Sequence, residues 1–173
     1  MESCRSRKGN RMEKLIDGIA SPELTEEYLE FGRVMVEFDG VYRTAATRMG
    51  MSDSAFQALL ALVELGEGCT QHQICGFACM GKQTINTAVH KLQDQGIVEL
   101  KHIEGSRGVG VFLTDAGRSY VMERVMPVAM ADMAALESID PKARKQVLDF
   151  NRAYVDALKA KLAEIDFPDA RER

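Results

Sequence analysis

Apolar residues recur at helical spacing along most of this chain. Tyr28, Phe31, Met35, Phe38, Tyr42, Ala45 and Met49 alternate three- and four-residue steps, a heptad-like stripe that predicts one long helix. Val34 and Val41 form a second flank, so this helix needs cover from more than one neighbour. Ser21 is placed to cap its start, with Pro22 at the first helical position and acids in the first turn. "SDSAFQALLALVELGEG" predicts a short helix, with Ser54 and Gln57 at capping-box spacing and Gly66 and Gly68 ending it. "TQHQICGFACM" predicts another, with the same spacing between Thr70 and Gln73. After a tight turn at Met80–Gly81, Ile85, Ala88, Val89 and Leu92 again fall on one side of a helix, and Gly96 follows Gln95 as its C-terminal stop.

The pattern then changes. "IVELKHI" and "VGVFLT" are rich in β-branched residues, and the glycines of "EGSRG" suit a hairpin tip between them. A further long helix follows, which Pro127 should kink or divide. Pro141 opens the last helix, striped by Val147, Tyr154, Leu158, Leu162 and Ile165. The expected fold is mainly α with a small β-hairpin wing. It is a winged helix-turn-helix at 51–119, between dimerisation helices at 22–50 and 120–173, with a flexible basic arm at 1–21.

The helix after Gly81 has the chemistry of a reading surface. Opposite its apolar stripe stand Gln83, Asn86, Thr87 and His90, all hydrogen-bonding and none permanently charged, whereas a merely solvated face usually carries Glu and Lys. Gln and Asn can pair bidentately with adenine edges, Thr can meet a thymine methyl or a phosphate, and His can donate to a base or a phosphate. Thr84 lies at the edge of this face, and Lys82 and Lys91 flank it as phosphate contacts. The face carries no Arg, so strong guanine readout is not expected from it. Arg107, in the hairpin tip, suits a narrow A·T-rich minor groove.

The order of elements, "GKQTINTAVHKLQDQGIVEL" and above all "SRGVGVFLTDAG" resemble the MarR family of bacterial transcriptional regulators. That family's wing reads Asp-x-Arg, a few residues, then Leu-Thr-x-x-Gly. Here Leu113, Thr114 and Gly117 match the ending and Arg107 falls on the arginine, but Gly105 stands at the aspartate position, beside Glu104. The resemblance covers roughly residues 24–165 and is most specific over 54–120. It implies a homodimer whose first and last helices interlock, with two winged domains reading half-sites of double-stranded DNA. It also implies a small, often aromatic, effector between the dimer helices and the winged domain, with Met35, Phe38, Tyr42 and Phe56 as its lining here. The expected activity is that of a ligand-released repressor on a pseudo-palindromic operator.

Composition adds limits. The formal net charge of −4 does not advertise a nucleic-acid binder, although a local patch can carry the opposite sign. That charge and the missing wing aspartate leave open a winged-helix module that binds a protein partner instead. Cys69, His72, Cys75 and Cys79 invite a metal- or thiol-sensing reading, but their helical spacing favours core packing, and no metal or other cofactor is expected. Cys4, in the arm, has no visible partner. No phosphate loop, nucleophile elbow or paired-carboxylate signature suggests an enzyme. Neither a secretory signal nor a membrane-length apolar run is evident, so a cytoplasmic protein with reduced thiols is expected.

Overall fold

The computed structural model describes residues 21–105 and 108–167. The basic arm, including Cys4, and Arg107 lie outside the described residues. The elements run α1 (Pro22–Arg48), α2 (Asp53–Leu65), α3 (Gln71–Ala78), α4 (Lys82–Asp94), β1 (Val98–His102), β2 (Val109–Leu113) and α5 (Asp115–Tyr120). A π-helical turn (Val121–Val125), α6 (Met126–Glu137) and α7 (Pro141–Ala163) follow. The chain divides into two compact units, one ending at Tyr120 and one beginning at Val121.

In the first unit, α2, α3 and α4 pack on one another around Phe56, Leu59, Ile74, Ile85 and Val89, all without exposed surface. The predicted α4 stripe of Ile85, Ala88, Val89 and Leu92 is buried throughout. Burying each of its larger side chains stabilises the fold by about 1.5–3 kcal/mol. β1 and β2 pair antiparallel, with Val98 opposite Leu113 and Leu100 opposite Val111. The loop before α3 adds a third short rung: the Gly68 amide donates to the Val111 carbonyl at 2.8 Å, and the Val111 amide donates to the Cys69 carbonyl at 2.9 Å. Gly110 is required there, because a Cβ on it would lie 2.5 Å from the Gly68 carbonyl oxygen.

The caps confirm most helix boundaries and correct one. Ser21 caps α1, accepting from the Leu24 amide, and Thr70 and Gln73 form a complete capping box on α3. The α2 helix begins earlier than its capping-box spacing predicted. Ser52 is the N-cap, accepting from the Ala55 amide, and Ser54 lies inside the first turn. The sequence offers two serines two residues apart, and the one that can stay extended while its Oγ meets the third helical amide takes the role.

In the second unit, Pro127 divides the predicted long helix. It has no amide to donate, and the turn immediately before it, Val121–Val125, is wound as a π-helix before α6 resumes. Asp140 caps α7 through the amides of Lys142 and Ala143, with Pro141 at the first position as expected. None of the α6 or α7 residues is buried. Met130, Met133, Leu136, Val147, Leu148, Phe150, Leu158 and Leu162 all stand exposed. Along α1, Tyr28, Val34, Met35, Val36, Phe38 and Val41 are likewise exposed, and Ala46 is the buried residue of that helix.

Candidate nucleic-acid interface

The α3–turn–α4 arrangement presents the polar face of α4 to solvent. Lys82, Gln83, Thr84, Thr87, His90 and Lys91 are exposed and Asn86 is half-buried. One helix thus brings together seven of the eight residues expected to contact DNA; the eighth, Arg107, lies outside the described residues. The turn reverses at Cys79, whose φ of 50° is the left-handed conformation that closes α3, with its amide donating to the Cys75 carbonyl. Gly81 then caps α4 without any side-chain hydrogen bond, leaving the first-turn amides available to an anion such as a phosphate. Thr87 donates its hydroxyl proton to the Gln83 carbonyl at 2.9 Å, so its methyl is the group left free for a thymine contact.

Two features fix the wing to this helix. Gly96, at φ 69°, ends α4, and the Thr114 hydroxyl donates to its carbonyl at 2.6 Å. The Thr114 amide donates to the Ile97 carbonyl at 3.1 Å, and Thr114 Oγ1 accepts from the Gly117 amide at 2.9 Å, capping α5. Gly117 is needed because its Cα passes directly over Ile97: a Cβ there would sit 1.9 Å from the Ile97 oxygen. The Leu-Thr-x-x-Gly ending therefore has a packing reason. Gly105 has a backbone reason too, since it adopts φ 73° at the hairpin tip, where glycine meets no Cβ penalty.

Among the expected effector-lining residues, Phe38 and Tyr42 meet edge-to-face at 5.3 Å, and Tyr42 stacks on Phe56 at 6.3 Å. Phe56 has no exposed surface and supports Tyr42 from below. Met35 and Phe38 are exposed on α1. A shallow groove on α1, lined by Glu37, Gly40, Val41, Thr44, Ala45 and Arg48, includes none of the four.

The cysteines separate. Cys69 is buried, and that burial pushes its thiol above the ordinary range. Cys75 is half-buried, but Cys79 is exposed. Core packing therefore describes Cys69 and not Cys79, because the left-handed cap turns Cys79 out of the α3 stripe. Among the described residues, no three His, Cys, Asp or Glu side chains gather as a metal site. Alkylation at pH 8 should therefore modify Cys79 quickly and Cys69 at least tenfold more slowly by rough expectation, since only the thiolate reacts. Mass spectrometry of timed aliquots checks this, and equal rates at the two thiols would contradict the placement of Cys69 in the core.

The trihelical core, the exposed polar face of α4 and the hairpin after it make a winged helix-turn-helix fold. Residues 49–108 match the family model described as MarR family. Its fold is similar to a MarR-family regulator from Neisseria meningitidis, with TM-score 0.68 and 18% identity over 80% of this chain and 97% of that one. It is also similar to a MarR-family transcriptional regulator from Streptomyces coelicolor solved in complex with DNA, with TM-score 0.65 and 19% identity over 80% and 93% of the two chains. A third similar structure is CouR from Rhodococcus jostii bound to p-coumaroyl-CoA, with TM-score 0.63 and 18% identity over 87% and 100%. No curated protein matches the chain by sequence. None of the described helices is long and apolar enough to cross a membrane.

Proposed function

We propose that the protein is a transcriptional repressor that binds a pseudo-palindromic operator as a homodimer and is released by a small, often aromatic, effector. The observation that carries this reading is the α4 face: Gln83, Thr87 and His90 exposed and uncharged, flanked by exposed Lys82 and Lys91. Such a face offers bidentate amides to base edges and cations to phosphates. The DNA-bound state of the Streptomyces coelicolor relative supports the partner. The residues that do this are Lys82, Gln83, Thr84, Asn86, Thr87, His90 and Lys91, with Arg107 in the wing.

The exposed apolar rows of α1 and α7 support the dimer. Tyr28, Met35 and Phe38 stand exposed along α1, as do Leu158 and Leu162 along α7, and such rows of exposed apolar side chains mark interaction surfaces. Helices at 22–50 and 120–173 then bind their counterparts in a second copy, the domain at 51–119 meets the duplex, and the arm at 1–21 adds phosphate contacts, all in the cytoplasm. The effector sits against Met35, Phe38 and Tyr42, above Phe56. The CoA-ester complex of CouR supports a small-molecule effector in general.

The test is selection of bound sequences from random duplex DNA, with sedimentation of the free protein at low micromolar concentration. A two-fold-related consensus and a dimer are expected. A folded monomer, or no enriched sequence together with salt-insensitive binding of a protein partner, would overturn the reading.

A further inference from the structure

Glu67 is a charged residue in a short loop for which DNA reading has no use so far. It stands between Gly66 and Gly68, at φ 91° and 87°, and these two left-handed glycines bend the loop so that its side chain turns toward β2. Phe112 packs down on Gly68, where a Cβ would lie 2.9 Å from the ring. On that edge of β2 the Val111 amide is taken by the Cys69 carbonyl. Two residues on, Leu113 presents the next amide on the same edge, where the loop backbone has already left the strand. Glu67 Oε2 accepts that amide at 3.1 Å. Its other oxygen, Oε1, pairs with the Arg118 guanidinium on α5, which also reaches Asp115 at 3.6 Å.

We propose that Glu67 is a positioning residue for DNA binding, a side-chain rung that extends the sheet by one step and holds the wing at a fixed angle to α4. This rests on the DNA-binding reading above. The two halves of the carboxylate contribute unequally. The Arg118 pair is half-exposed, and exposed ion pairs contribute little. The Leu113 amide is part-buried, and withdrawing its acceptor leaves an unpaired donor. The acceptor oxygen, rather than the charge, is what the wing needs.

Three variants separate these effects. Glu67→Ala removes the acceptor, Glu67→Gln keeps an oxygen but loses the charge, and Arg118→Gln leaves the carboxylate in place. Hydrogen exchange at the Leu113 amide, measured without DNA, should accelerate about tenfold in E67A and little in E67Q or R118Q. Operator affinity should fall about tenfold in E67A, with base preference at the positions read by α4 unchanged and preference for A·T-rich flanks reduced. Glu67→Asp, shorter by one methylene, should show the same pattern more weakly if E67A does not keep its helical signal. Unchanged Leu113 exchange in E67A, or equal losses in E67A and E67Q, would overturn the rung. A wild type that selects no duplex would overturn the DNA role together with the reading beneath it. Accelerated Leu113 exchange in that case would locate the failure in the function and not in the contact.

Discussion

Gly117→Ala should lower the stability of the winged domain by roughly 3 kcal/mol, the upper range for forcing one methyl into a packed site. The added Cβ would lie 1.9 Å from the Ile97 oxygen, and backbone on both sides cannot rotate out of the way as a side chain could. To relieve the clash α5 must lift from the end of α4. That movement stretches the Thr114 hydroxyl bond to Gly96 and the Thr114 amide bond to Ile97, both of which tie the wing to α4. Gly76→Ala is the control. Gly76 is exposed in α3, with nothing within 4 Å of its would-be Cβ. There the same substitution should stabilise by about 0.5–1 kcal/mol, because a helix interior favours alanine. Thermal denaturation should therefore move in opposite directions, with Gly117→Ala down by roughly 6–12 °C for a chain of this size. Equal, small shifts for the two variants would mean that Gly117 is not packed on Ile97.

These two glycines illustrate what the sequence can disclose. The α4 helix was legible because burial of one face imposes a 3.6-residue period, and Ile85, Ala88, Val89 and Leu92 announce it without help from distant residues. Thr70 with Gln73, and Gly96 after Gln95, were legible for the same reason: caps are local chemistry. Leu113, Thr114 and Gly117 could be matched as a motif, but the cause of the glycine lies with Ile97, 20 residues earlier in the sequence, and only the tertiary approach reveals it. Glu67 gave no signal beyond its flanking glycines, because its partners, Leu113 and Arg118, are 46 and 51 residues away. Cys79 was misread because helical spacing assumes the helix continues, and the left-handed cap ends it at that residue. The choice between Ser52 and Ser54 was likewise beyond a pattern that both satisfy.

The recognition face makes the sharper functional prediction: Gln83 and Asn86 should carry sequence information, while Lys82 and Lys91 carry affinity. Gln83 and Asn86 lie in the N-terminal half of α4, the end of a recognition helix that meets base edges. Replacing either with Ala should cost roughly 1–3 kcal/mol on the selected duplex and little on a scrambled one. Lys82→Ala or Lys91→Ala should weaken both duplexes alike and flatten the salt dependence by about one unit per half-site. The winged domain's share of the slope should be modest. Within the winged domain Lys101 is paired with Glu99 and Arg118 with Glu67, which leaves Lys82 and Lys91 as cations free for phosphates among the described residues, with Arg107 beyond them. About three contacts per protomer from the winged domain, or six across a dimer, give a slope of log affinity against log salt near −5 from that domain, and phosphate contacts by the arm at 1–21 would steepen it. Titrations of each variant on the two duplexes over a salt series measure every term. If Gln83→Ala and Asn86→Ala weakened both duplexes equally, the α4 face would not be reading bases. A slope near zero in the wild type would leave Lys82 and Lys91 without phosphate partners and favour a protein ligand for the same surface.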